Sequence, residues 1–209
     1  MVVPVDRGIY LASRSPRRRE LLTQIGVRYH LLLFRDRPGA GEEVDEAPLG
    51  GEAPDAYVER VARAKAETGW KRMLQRNLPH APVLAADTTV ALEGRILGKP
   101  ADRADAAAML AQLGGRSHEV LTAIAMTNGE RLESALSRSE VRFRELTPQD
   151  IEDYVATGEA DDKAGAYAIQ GRAARFISEL RGSYSGVMGL PLYETARMLE
   201  RFAGGRDRR

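Results

Sequence analysis

The sequence predicts an α/β fold built on a mixed sheet, and three observations predict it. Short apolar runs alternate with segments whose apolar residues recur at helical spacing. Two of the runs fold back through hairpin signals, Glu93-Gly94 and Asn128-Gly129. No internal repeat or clean linker interrupts the 209 residues, a length that suits one domain or one domain with two lobes.

The elements follow in order. Ile9 to Ala12 is a short apolar strand running into a helix. Pro16 suits the first helical position, where an N–H has no partner, and Ser15 is placed to cap it. Gly26 stops that helix, and Tyr29 to Phe34 reads as the second strand. Residues 35–54 are rich in Gly, Pro and acid with no period, so they read as a loop, long enough to be functional or mobile. Pro54 to about Lys71 is a helix with Tyr57, Val58, Val61, Ala62, Ala64 and Lys65 sharing its faces. Val83 to Ala86 is a buried strand ending at Asp87, followed by a small hairpin over Val90 to Leu97. Asp102 caps a helix to Leu113, which Gly114-Gly115 ends. His118 to Thr127 and Arg131 to Phe143 are a long hairpin, the return strand with one wet face. Thr147, Pro148 and Asp150 open a helix to Thr157 with a near-ideal cap. After an irregular stretch, Phe176 to Leu180 is a strand, Gly182 to Gly189 a Gly/Ser loop, and Pro191 to Phe202 the last helix. The tail from 204 reads as frayed.

Composition excludes several classes. A net charge of +1 argues against a nucleic-acid partner. With no cysteine there is no disulfide, thiolate nucleophile or thiolate metal site. The three histidines, His30, His80 and His118, lie far apart in sequence, so a metal would be a hard cation on carboxylates. No apolar run suggests a membrane partner, and the opening MVVPVDRGIY lacks the apolar core of a secretory signal; a cytoplasmic protein is expected.

Charged residues gather at the expected joints. Arg17, Arg18 and Arg19 occupy the first turn of a helix, whose N-terminus already favours anions. That suits a phosphate-bearing ligand; a solvated basic helix start is the plainer alternative. Asp87 after VLAA suits a general base or magnesium ligand, or simply caps a turn. Lys65, Lys99 in GKP and Lys163 in DDKAGAY each border a loop, although a lone lysine is usually a surface residue. Glu42, Glu43, Asp45 and Glu46 form an acidic run that is either solvated or the source of one metal carboxylate. There is no GxxxxGK[ST], no GxGxxG after a strand and no GxSxG elbow. Residue chemistry alone describes a binder or hydrolase of a phosphorylated small molecule and does not choose between them.

The combination of motifs goes further. LASRSPRRRELL, YVERVARAKA, AADTTV, GKP, GRSHEVLTAIA, YVATGEADDKAGAYAIQG and GSYSGVMGLPLYET, in this order over about residues 8 to 200, closely resemble the Maf family of nucleotide pyrophosphatases. The resemblance implies one domain over residues 1–203, an elongated mixed α/β fold with two lobes around a central cleft, as in inosine-triphosphate pyrophosphatases. Such proteins are often dimeric, so a homodimer is expected. It implies hydrolysis of a nucleoside triphosphate between the α- and β-phosphates with a divalent metal, Mg²⁺ or Mn²⁺. DKAGAYAIQG and GLPL look like the branch acting on dTTP and UTP. A regulator of cell division that binds nucleotide without catalysis, and the 7-methyl-GTP branch, are the alternatives.

Carried over by position, Asp87 matches the family's proton acceptor, and Arg17, Thr88 and Gln170 match its specificity positions. Ser13, Arg18, Glu46, Lys65, Lys99, Asp162 and Lys163 match polar residues of its cleft. The acidic loop is longer than in many relatives, so Glu43 aligns as an alternative to Glu46. Arg14 stands where many members have a smaller residue, which would narrow the entrance. The implied mechanism has Asp87 and Glu46 holding the metal, Asp87 activating the attacking water, and Arg17, Lys65, Lys99 and Lys163 neutralising the leaving pyrophosphate. Gln170 offers a donor and an acceptor to the O4 and N3–H edge of uracil or thymine, but an amide can flip, so Thr88 and Arg17 must fix the polarity.

Overall fold

The computed structural model describes residues 8–33 and 44–204. The alternative carboxylate Glu43 and the tail beyond 204 lie outside the described residues. The strands are β1 (Ile9–Leu11), β2 (Tyr29–Leu31), β3 (Val83–Leu92), β4 (Arg95–Leu97), β5 (Ser117–Thr127), β6 (Leu132–Phe143) and β7 (Ile177–Arg181). The helices are α1 (Pro16–Gln24), α2 (Pro54–Gln75), α3 (Arg103–Leu113), α4 (Pro148–Ala156), α5 (Tyr184–Met188) and α6 (Leu192–Gly204). All seven strands form one sheet in the order β2-β1-β3-β5-β6-β7, with β4 also on β3. The β1 pairings are parallel and the others antiparallel, so the sheet is mixed.

Alternation along the strands sends side chains to two faces, and helices cover both. On one face α2 lays Val58, Ala62, Ala66 and Met73 against Val83, Ala85, Leu121, Ala123 and Ala125. On the other, α1 and α6 bring Leu21, Leu22, Met198, Leu199 and Phe202 to Ile9, Leu11, Leu84, Ala86, Ile124 and Met126. A third cluster sits farther along the same strands. There α3, α4 and residues 164–176 cover Val90, Leu92, Val120, Val141 and Phe143.

Several elements depart from the sequence reading. β3 does not end at Asp87 but runs on to Leu92. β5 pairs Asp87 with Ala123 and Thr88 with Thr122, so the backbone is satisfied whatever the polarity of its side chains. β2 stops at Leu31, short of Phe34. The Ser15 hydroxyl does not cap α1. Instead the Ser13 Oγ accepts the Ser15 amide at 3.2 Å. The stretch read as a Gly/Ser loop contains α5, because the Ser183 Oγ accepts the Gly186 amide at 3.0 Å and starts a helical turn. The Asp102 cap and the capping box at Thr147 and Asp150 form as their patterns suggest.

One feature of the topology positions the site. β5 covers one edge of β3 from Val83 to Ala91. The other edge is shared: β1 takes Val83 and Leu84, and β4 takes Val90, Ala91 and Leu92. Residues 85–89 have no strand partner on that edge among the described residues. A notch therefore opens in the sheet at Asp87 and Thr88.

Candidate active site

Asp87 and Thr88 leave β3 on opposite faces. Asp87 turns toward α2, where its Oδ1 accepts from Lys65 Nζ at 2.7 Å. The same ammonium lies 2.9 Å from Glu46 Oε1. Lys65 thus bridges two carboxylates, and Asp87 Oδ2 has no hydrogen bond from the described residues. Partial burial pushes the Glu46 carboxyl up, but Lys65, by charge and hydrogen bond, outweighs it. With Lys99 and Arg18 adding their charge, Glu46 is held below the usual range.

Thr88 turns toward α1. Arg18 reaches three acceptors there: Gly189 O from Nε at 2.8 Å, Ser13 Oγ from Nη1 at 3.2 Å and Thr88 Oγ1 from Nη2 at 3.2 Å. Burial draws the Arg18 guanidinium down, and the negative charges of Asp87 and Glu46 oppose that shift. Arg17 donates from Nε to Met188 O at 3.4 Å. The carbonyls closing α5 therefore orient both arginines. Gly189 sits at φ 113°, and a Cβ there would stand 3.4 Å from Thr88 Oγ1 and 3.5 Å from Arg18 Nε, so glycine suits both the turn and the approach.

Lys99 is exposed in the turn after β4. Its loop is tied to the DDKAG segment by Gly165 N–H donating to Gly98 O at 3.0 Å. Gly165, at φ 66°, packs so closely on Val90 that a Cβ would meet its side chain at 2.8 Å. Burial lowers the Lys163 ammonium, and the charges of Arg17 and Lys99 lower it further against Asp162 and Asp161. Asp87 and Glu46 thus share their surroundings with Lys65, Arg17, Arg18, Lys99 and Lys163. An environment so rich in cations is suited to a polyanion.

Asp162 and Gln170 are exposed, and no hydrogen bond joins either side chain to Asp87 or Lys65 among the described residues. Arg14 is exposed.

Two α2 residues escaped the sequence reading. The Tyr57 hydroxyl donates to Glu46 O at 2.9 Å. Burial, with the charges of Asp87 and Glu46, pushes that phenol up to about 12. Arg60 grips Glu52 with Nε at 2.7 Å and Nη2 at 2.8 Å, and also donates to Asp45 O and Ala47 O at 3.3 and 3.0 Å. Three successive carbonyls, 45 to 47, are therefore held by one helix. The sequence signal was the i, i+3 spacing of Tyr57 and Arg60 beside a long loop.

Comparison with known proteins fixes the family. The family model described as Maf-like protein matches residues 8–202. This chain belongs to the Maf-like family. A relative in Aromatoleum aromaticum named dTTP/UTP pyrophosphatase is 61% identical over 95% of this chain and 97% of its own length. Relatives of the same name in Nitrosomonas europaea and Dechloromonas aromatica are 54% and 57% identical, over 96% and 92% of this chain and 97% and 96% of theirs. The Staphylococcus aureus Ham1 protein is a looser structural likeness: TM-score 0.49, 16% identity, 92% of this chain and 98% of that one. That likeness is too loose to carry an argument. No helix among the described residues of this Maf-like chain is long and apolar enough to cross a membrane.

Proposed function

We propose that this protein is a nucleoside triphosphate pyrophosphatase that converts dTTP and UTP to the monophosphate and pyrophosphate. High identity over nearly full length to relatives of that name carries the reading. The local chemistry agrees with it. Asp87 Oδ1 is fixed by Lys65, leaving Oδ2 to orient a water and take its proton. The water oxygen bonds to the α-phosphorus as the bridging P–O bond to the β-phosphate breaks, and pyrophosphate leaves with the electron pair. Arg17, Lys99 and Lys163 meet the charge that develops on it.

Asp87 and Glu46 fit a divalent cation. Both already converge on one positive charge, the Lys65 ammonium, and Mg²⁺ is commonly held by one or two carboxylates completed by phosphate oxygens and water. Mg²⁺ or Mn²⁺ bound there would lower the pKa of water and neutralise phosphate charge. The apolar clusters on either side of Asp87 and Thr88 are read as the two lobes of a single domain, with the notch in β3 as the cleft between them. The protein works in the cytoplasm, where its substrates are, and is a homodimer.

A panel of triphosphates, read by pyrophosphate release with Mg²⁺, tests this. dTTP and UTP should be the best substrates, each giving its monophosphate. Preference for 7-methyl-GTP, or release of orthophosphate, would overturn it.

A further inference from the structure

The hydroxyl of Thr88 is not free to choose its role. Thr88 is the one β3 residue that is not buried, and it stands at the notch. Thr88 Oγ1 lies 2.9 Å from Thr122 Oγ1, and Thr122 Oγ1 lies 2.7 Å from Gly186 O. Two oxygens approach so closely only with a hydrogen between them. The carbonyl has none, so Thr122 gives its single hydrogen to Gly186. The hydrogen between the two threonines must then come from Thr88. Arg18 Nη2 meanwhile donates into Thr88 at 3.2 Å. Thr88 is left with one lone pair and no hydrogen. A threonine hydroxyl is ordinarily both donor and acceptor; this one can only accept.

The far end of the chain is anchored. Gly186 O also accepts from the Gly189 amide at 2.9 Å, and Gly186 N–H is held by the Ser183 cap. Thr122 is fully buried, which prevents water from substituting for either partner. The hydrogens therefore run in one direction, from Arg18 through Thr88 and Thr122 to α5.

Uracil and thymine present N3–H, a donor. Cytosine presents a bare N3 lone pair there. An acceptor-only position welcomes the first and repels the second. We propose that Thr122 is a specificity-determining positioning residue: by taking the Thr88 hydrogen it makes Thr88 an acceptor for the N3–H of uracil or thymine and turns cytosine away. This rests on the dTTP/UTP pyrophosphatase reading and supplies the fixed polarity that a flippable Gln170 amide cannot.

The test compares kcat/KM for UTP and CTP by pyrophosphate release. Thr122→Val keeps the shape but returns the hydrogen to Thr88. The UTP:CTP ratio should fall roughly tenfold, the worth of one ordinary hydrogen bond, mainly through a gain on CTP. Thr122→Ser, which keeps a hydroxyl, should keep the ratio. An unchanged ratio in Thr122→Val, or equal losses on both substrates, would overturn the role of Thr122. Should the valine variant not fold, the wild type decides with 3-deazauridine triphosphate, which has C–H in place of N3–H and a hydroxyl in place of the O4 carbonyl. It should be roughly tenfold poorer than UTP, and equal rates would sink the proposal. A wild type that releases pyrophosphate from neither UTP nor dTTP refutes the pyrophosphatase reading instead. A wild type preferring UTP with an unmoved valine ratio refutes only this inference.

Discussion

Asp87 and Thr88 show how much one residue of register decides. They are adjacent, and the pleat sends one carboxylate to Lys65 on α2 and one hydroxyl to Arg18 on α1. A slip of one position would exchange the two and place a carboxylate among the threonines. Asp87→Asn tests the catalytic half. The amide oxygen can still accept from Lys65, and Glu46 still balances that ammonium, so the fold should persist. Pyrophosphate release should fall by roughly 10²- to 10⁴-fold, as expected for loss of a general base. Nucleotide binding, measured by calorimetry, should remain. Wild-type turnover in that variant would refute the assignment of Asp87 as the base. At this scale the identities of the charged residues were legible in the sequence, because SPRR, ADT, GKP and DKAG carry them as short blocks. The directions of the hydroxyl hydrogens were not, since they depend on Thr122 and Gly186, far from Thr88 in the chain.

Among the elements, α2 does more than cover the sheet. Its buried side packs the core, while Tyr57 and Arg60 draw the segment before it back onto its surface. Glu46 is thereby carried to Lys65, which is on the same helix. Arg60→Ala should release the carbonyls of Asp45 and Ala47 and free Glu52. If Glu46 holds the metal as proposed, the expected result is a loss of about 10- to 100-fold in activity. The Mg²⁺ concentration needed for half-maximal rate should rise, and the melting temperature should change little. Arg60→Lys should not rescue, because an ammonium cannot grip both Glu52 oxygens and two carbonyls. An unchanged Mg²⁺ requirement would show that Glu46 is held without the clamp. Helical periodicity announced α2 but not this task, which needs the loop folded back in three dimensions. β3 misled for a related reason: its polar centre reads as an end until β5 is laid beside it.

For the molecule as a whole, alternation of elements and two hairpin turns sufficed for a mixed α/β sheet. The Glu93-Gly94 hairpin announced β4, but the placement of β1 farther along the same edge of β3, which leaves the notch between them, has no local signature. The core beyond that notch holds a titratable group that ties stability to pH. His118, at the start of β5, is buried among Phe143 and Tyr167, its Nε2 2.8 Å from the Tyr167 hydroxyl and its Nδ1 without a hydrogen-bond partner among the described residues. Burial lowers the imidazole to about 4 from an ordinary 6.5. Burial also raises the Tyr167 phenol, which therefore stays neutral. The folded protein resists protonating His118, whereas the unfolded chain takes the proton once pH drops below about 6.5. Its contribution is complete above that pH, declines as pH falls toward about 4 and is gone below it. The difference corresponds to about 3 kcal/mol. Urea melts of the wild type and His118→Gln between pH 7.5 and 4.5 isolate this term, because both proteins share every other acid-sensitive pair. The stability of the wild type relative to the variant should hold from pH 7.5 to about 6.5 and shrink steadily from there to pH 4.5. A gap that stays constant with pH would mean that His118 is protonated equally easily in the folded and unfolded chains.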